Sequence, residues 1–131
     1  MGDVATDAVL LASARGWHAT PSDYSSIRWL RFEPGSRAEL TYAYGQTIYA
    51  VCECQWAVPA AGVLRLTGLV VAGGRLRGYE PSAEERDRDL AYQLVEVNES
   101  FVQPLTSSPP WECRWSLELS EPPWPAGLKL P

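Results

Sequence analysis

The sequence holds a single histidine, His18, and its three cysteines lack the CxxC spacing that is typical of zinc sites. Without a second histidine, or a serine or cysteine held near His18 by a recognisable motif, no catalytic triad can be assembled. The glycines at 73, 74 and 78 lack the Gly-Lys-Ser/Thr of a phosphate loop. These absences predict a protein that is not an enzyme and that binds no metal or cofactor.

Long apolar runs are also missing. No segment approaches about eighteen consecutive apolar residues, and the N-terminus lacks the basic region and apolar core of a secretory signal. We therefore expect no membrane span and a cytoplasmic location. Lysine is nearly absent, since ten of the eleven basic residues are arginine, and there are only two isoleucines and one asparagine. This bias is typical of a GC-rich coding sequence and points to a bacterial source.

Positive charge is in the minority, with 11 basic residues against 16 acidic ones and a net charge of −5. The excess of acid is concentrated in residues 80–121, which carry ten acidic residues and three arginines. An acidic domain is a poor match for a phosphate backbone, so no nucleic-acid partner is expected. The same charge is compatible with a basic protein partner.

What the chain does have is enough apolar content to fold, at 46% of 131 residues. This length predicts one domain over 1–131. We divide it into an N-terminal helix and loop (1–26), a β-sheet or barrel (27–120) and an extended proline-rich tail (121–131). Trp124 is the expected anchor of that tail.

The first helix is predicted over Asp7–Arg15, where alanine and leucine are dense. Thr6 or Asp7 is placed to cap its start, and Gly16 to end it. Its short length leaves the sheet as the main body of the fold.

A second, shorter helix is predicted near 82–89, because Ser82 and Glu85 form a capping-box pattern. Residues 90–97 fit both a continued helix and a strand. Their Tyr-Gln-Leu-Val-Glu-Val content favours a strand.

Six segments have the composition or the apolar–polar alternation of strands. They are 27–32, 37–44, 47–58, 63–71, 90–97 and 111–119. Mostly short turns join them, which predicts an antiparallel meander that curls into a small barrel or packs its apolar face on a helix. The predicted fold class is mostly β, with α+β as an alternative.

The alternation places a set of large aromatic side chains on the inner face of this sheet. The set is Tyr42, Tyr44, Trp56, Tyr92, Trp111 and Trp115. They either fill a core or line an amphipathic pocket. Cys52, Cys54 and Cys113 fall on the same face, where buried core thiols are expected.

The layout resembles the calycins, the lipocalin and fatty-acid-binding-protein class of β-barrel. A short helix, a loop and a strand beginning Arg28-Trp29-Leu30-Arg31-Phe32 precede a meander, as in that class. The resemblance implies that Trp29 is the first-strand tryptophan and Arg114 the arginine packed on it, and it implies a ligand cavity. The segment before Trp29 lacks the family's glycine, and six strands are fewer than its eight or ten.

Two functions of different classes follow. In the first, a small apolar or amphipathic ligand binds the inner face, and Arg28 contacts a ligand carboxylate. The predicted ligand-binding residues are Tyr42, Tyr44, Trp56, Tyr92, Trp115 and Arg28. The alternative is a protein-interaction module of the immunity or adaptor type, whose acidic surface meets a basic partner. A cavity bounded by Tyr42, Trp56 and Trp115 favours the first, and a solid core favours the second.

Overall fold

A computed structural model describes residues 4–13, 17–18, 26–101, 111–128 and 130. The described chain is mostly β, with strands that pair in chain order as antiparallel neighbours and two short helices. The strands are β1 (Trp17–His18), β2 (Ser26–Phe32), β3 (Arg37–Tyr44), β4 (Thr47–Ala60), β5 (Val63–Gly73), β6 (Arg88–Phe101) and β7 (Trp111–Leu119). The predicted antiparallel meander is confirmed.

The sheet curls but does not close. β1 lies beside β7, yet within the described residues no backbone pairing joins these two strands. β6 pairs with β5 only over Arg88–Ala91 and then with β7 over Tyr92–Phe101. β6 and β7 therefore continue as a two-stranded ribbon beyond the main sheet. The expected small barrel is realised only as an open, curled sheet.

The inner face of the sheet is where the core lies. Along β4 every second side chain is buried: Ala50, Cys52, Cys54, Trp56 and Val58. The side chains between them are partly or fully exposed. Period-two alternation thus places the apolar face as expected over most of the strand.

A β-bulge reverses this alternation at the β3–β4 hairpin. The register shifts between Tyr42 and Ala43, where Tyr49 is the extra residue in β4. Beyond the bulge Ala43 is buried, whereas Tyr44 is 40% exposed and Ile48 is exposed as well. The bulge turns Ile48 away from the inner face of β4 but inserts no residue into β3. Tyr44 is the last residue of β3, beside the turn, and it is exposed instead of buried with the predicted inner-face aromatic residues.

The first helix, α1, spans Val4–Ser13 rather than Asp7–Arg15. Asp7 lies inside the helix and is buried, where it accepts a hydrogen bond from the Tyr92 hydroxyl. Because the helix already begins at Val4, the expectation that Thr6 or Asp7 caps its start is wrong, and the Asp7 carboxylate instead contacts the sheet.

The second helix, α2, is a single turn over Ala83–Arg86. Its capping box is present, with the Glu85 amide donating to Ser82 Oγ and the Ser82 amide donating to Glu85 Oε1. β6 then begins at Arg88, so the helix ends before 89 and residues 90–97 are strand.

The chain after β7 was expected to be extended, but the described part instead bends back onto the sheet. Ser120 and Ala91 exchange two hydrogen bonds, at 2.9 Å and 3.2 Å. Trp124 and Leu128 are buried in the core. Trp124 therefore anchors the tail segment 120–128, as predicted.

Candidate functional site

Two residues of the predicted set meet on the inner face of β2 and β3. Arg28 and Tyr42 are directly opposite each other in the register. The guanidinium carbon of Arg28 lies 5.5 Å from the centroid of the Tyr42 ring, which is cation–π distance. This contact places a positive charge beside a buried aromatic surface.

The tail supplies a third member of this group. The Trp124 ring packs edge-on against Tyr42, with 5.6 Å between the ring centroids. Only 3% of the Trp124 surface is exposed. Sequence reasoning identified Trp124 as an anchor but not as a site residue. The available signal was a lone tryptophan among the prolines Pro122, Pro123 and Pro125.

The fourth member is Arg88, at the start of β6 and opposite Leu66. Its Nη2 donates to the carbonyl oxygens of Pro122 and Trp124, at 3.1 Å and 3.3 Å. Its Nη1 donates to Glu121 Oε1 at 3.3 Å. Arg88 therefore attaches the tail to the sheet. We refer to Arg28, Tyr42, Arg88 and Trp124 as the inner-face cluster.

Two buried donors of the cluster have no acceptor within the chain as described. They are the indole Nε1 of Trp124 and the guanidinium Nε of Arg88. A buried polar group without a partner costs about 1–3 kcal/mol, and more where the group is charged. An acceptor supplied from outside the chain would remove that cost.

Thiols border the same cationic region. Burial raises the pKa of Cys52 and of Cys54 to about 12, and the charge of Arg88 opposes that rise at both. Both thiols are therefore neutral near pH 7 and contribute apolar surface rather than a nucleophile. The side chain of Cys113 lies outside the described residues.

Tyr92 faces inward as predicted, but its hydroxyl is committed to the helix. It donates to the buried carboxylate of Asp7, a contact that joins β6 to α1. Burial first, and the Asp7 hydrogen bond second, raise the pKa of Tyr92 to about 12. Tyr92 thus holds α1 in place and lies apart from the contacts that define the inner-face cluster.

Trp56 is also buried, but it lies at a different position on the inner face. Its ring packs edge-on against Phe32 at 5.2 Å, and its Nε1 donates to the Glu33 carbonyl at 2.9 Å. Trp56 also lines an open, apolar groove of about 370 Å³ beside α1. Tyr42 is not among the residues that line this groove. The side chain of Trp115, the remaining predicted member, lies outside the described residues.

A second open groove, of about 540 Å³, lies over β4 and β5. Arg37 and Glu53 border it and form an exposed ion pair at 2.8 Å. The groove is also lined by Thr67, Gly68 and Val70, and Val70 is exposed. A surface ion pair of this kind contributes little free energy, so the groove has no strong polar anchor.

In the part of the chain that the structure describes, no three His, Cys, Asp or Glu side chains are grouped to hold a metal ion. The side chain of His18 lies outside the described residues. Neither α1 nor α2 is long and apolar enough to cross a membrane.

Comparison of the chain with protein-family models, with curated proteins and with solved structures gives no match. The function is therefore argued from the geometry of the inner-face cluster.

Proposed function

We propose that this protein is a non-catalytic binding protein that holds a small amphipathic ligand on its inner face. The proposal rests on one observation: Trp124 Nε1 and Arg88 Nε are buried donors without an acceptor among the described residues. A ligand carboxylate or another strong acceptor would satisfy a donor of this kind. Hydrogen bonds between charged groups are about twice as strong as neutral ones, so an acidic group is the favoured polar end.

The apolar part of the ligand would contact the aromatic and thiol surface of the cluster. Tyr42 lies between Trp124 on one side and the Arg28 guanidinium on the other. Tyr42 is paired with Ala50 in β4. Cys52 is the next inner-face residue of β4 and is fully buried. Arg28 keeps its proposed role as a contact for a ligand carboxylate.

The calycin resemblance is compatible with a ligand on the inner face of a curled meander, and we retain it as a proposal. A cytoplasmic location and the absence of catalysis are proposed with it. Trp115 also stays a proposed pocket residue.

Calorimetric titration with monomeric decanoate tests the ligand site. Trp124→Phe keeps an aromatic ring on Tyr42 but removes the indole N–H, so decanoate affinity should fall by about tenfold. Trp56→Phe is the matched control, because its N–H already has an acceptor in Glu33. The control should bind decanoate as the unaltered protein does. No binding by the unaltered protein, or equal affinity in Trp124→Phe, would overturn the proposal.

A second function is favoured by the ribbon of β6 and β7. In sequence, the ribbon segments 92–101 and 111–119 carry four acidic residues against one arginine: Glu96, Glu99, Glu112 and Glu118. This excess of acidic residues in the ribbon sequence favours a basic protein as the partner. A lysine-rich peptide serves as the probe, and its binding should weaken steeply with added salt. Binding that is absent at low salt, or insensitive to salt, would reject this alternative.

A further inference from the structure

The chain that follows β7 packs on the inner face of the sheet without pairing with it as a strand. The Ser120 amide donates to the Ala91 carbonyl at 2.9 Å, and among the described residues this is the only backbone–backbone hydrogen bond between segment 120–128 and the sheet. Three of the next five residues are prolines, which have no N–H to donate. We call residues 121–128 the strap. The strap therefore belongs to no hydrogen-bond ladder of the described sheet.

Two side chains from outside the strap hold it in place. Arg88 donates to the carbonyl oxygens of Pro122 and Trp124, and the Gly127 amide donates to Glu85 Oε2 at 2.8 Å. The buried ring of Trp124 adds an apolar contact with the core. Segments that are held by few hydrogen bonds open at a smaller free-energy cost than paired strands. This mode of attachment allows the strap to open while the sheet stays folded.

The tryptophan of the strap differs in its hydrogen bonding from two other buried tryptophans. Trp17 Nε1 donates to the Leu11 carbonyl at 3.1 Å. Trp56 Nε1 donates to the Glu33 carbonyl at 2.9 Å. Trp124 is as deeply buried as these two, but its Nε1 has no acceptor among the described residues. Buried indole N–H groups normally find a partner, so the closed strap leaves a donor for another molecule.

We infer that the strap is a lid: it opens to admit the ligand, and the bound ligand then holds it closed. This inference rests on the proposed function, which places the acidic end of the ligand at the buried donors of the inner-face cluster. The Trp124 N–H is one of these donors, and solvent does not reach it while the strap is in place. Once bound, the ligand contacts Trp124 in the strap and Tyr42 in the sheet, and opening of the strap separates these two rings.

Hydrogen exchange followed by mass spectrometry, without ligand, tests whether the strap opens. A peptide that contains Gly127 should exchange faster than a peptide from the centre of β4 in the folded protein. Glu85→Gln removes the charge that the Gly127 amide contacts, and it should speed exchange of the strap peptide about fivefold, because bonds to charged groups are the stronger ones. Glutamine still fits the capping box of α2. Glu84→Gln, an exposed carboxyl in the same helix turn, is the matched control and should leave the rate unchanged.

Decanoate then tests whether the ligand holds the strap closed. At about ten times the dissociation constant measured by calorimetry, exchange of the strap peptide should slow about tenfold, because the strap opens only after the ligand leaves. In Trp124→Phe the same decanoate concentration should slow exchange only about twofold, as expected for a tenfold weaker complex. Trp56→Phe is the control and should keep the full effect.

The outcomes distinguish the strap from the ligand site. Calorimetric binding of decanoate with unchanged exchange in the strap would overturn the inference and leave the proposed function intact. Strap amides that exchange only as slowly as the centre of β4 would also overturn it, because the strap would then open only on global unfolding. Equal exchange rates in Glu85→Gln and Glu84→Gln count against it as well. Absence of calorimetric binding would overturn the proposed function, and the role of the strap in ligand entry with it.

Discussion

Tyr92 in β6 donates a hydrogen bond from its hydroxyl to the carboxylate of Asp7 in α1, although 85 positions separate the two residues in the chain. Both side chains are buried. The contact turns the one ionisable group of α1 toward the sheet and leaves an uncharged surface outside. One buried hydrogen bond thus fixes both the position of the helix and the character of its outer face.

Tyr92→Phe should destabilise the protein by about 2–3 kcal/mol, because it removes the hydrogen bond that the buried Asp7 carboxylate accepts from the Tyr92 hydroxyl. Urea unfolding measures the change in the free energy of unfolding. Tyr44→Phe is the control, since Tyr44 is 40% exposed at the end of β3, and its effect should stay within about 0.5 kcal/mol. Equal stability of Tyr92→Phe and the unaltered protein would contradict a structural role for the contact.

Acid should weaken the attachment of the tail through Glu85. The amides of Ser82 and Gly127 donate to this carboxylate and lower its pKa to about 2 from 4.5. Because the folded-state pKa is depressed, the stabilisation is present above about pH 4.5 and is lost as the pH falls toward 2. The stability difference between the unaltered protein and Glu85→Gln should therefore shrink across this range in urea unfolding curves.

Glu84→Gln provides the comparison for the acid experiment, as Glu84 is an exposed carboxyl in the same helix turn. The difference in unfolding free energy between Glu84→Gln and the unaltered protein should change little over the same pH range. If the difference in unfolding free energy between Glu85→Gln and the unaltered protein stays constant from about pH 5 to about pH 2, the carboxylate does not hold the tail.

The thiols of Cys52 and Cys54 should resist alkylation in the folded protein. Burial raises the pKa of each to about 12, so at pH 8 neither offers a reactive thiolate. Iodoacetamide followed by peptide mass mapping should find both unmodified under native conditions and modified in guanidinium. Rapid native labelling at these two positions would mean that the inner face opens to solvent.

Gly74→Ala should be much more damaging than an alanine at another turn. Gly74 has φ +90°, and an added Cβ would lie 2.6 Å from the backbone oxygen of Tyr49, the bulge residue. We expect a loss of more than about 1 kcal/mol in the free energy of unfolding. At Gly35 nothing lies within 4 Å of such a Cβ, so Gly35→Ala should be close to neutral. Similar unfolding curves for both variants would contradict the close packing at Tyr49.

The alternation of apolar and polar residues was sufficient to predict most of the sheet, because side chains alternate between the two faces wherever strands pair without an inserted residue. It failed at Tyr44, since alternation does not show that the last residue of β3 lies beside the turn and outside the buried core. The capping box at Ser82 was readable because both partners lie within one helical turn. How far a helix or strand continues depends on packing, so the end of α2 could not be predicted from the sequence with the same accuracy.

The candidate site was predictable only where it depended on neighbouring strands. Arg28 and Tyr42 face each other across one hairpin, so alternation and turn length were enough to bring them together. Arg88 and Trp124 lie 36 positions apart and meet because the tail folds back. That approach depends on tertiary packing, which no local pattern encodes.

The pairing of β-strands in chain order has a consequence for how the protein folds. Strands β2 to β5 are joined by short turns, so this part of the sheet can assemble hairpin by hairpin with little loop entropy lost at each step. The hydrogen bond between Asp7 and Tyr92 must instead close a loop that spans most of the chain. We expect α1 to dock after the sheet has assembled and to detach before the sheet unfolds. Amide hydrogens of α1 should then exchange well before those at the centre of β4.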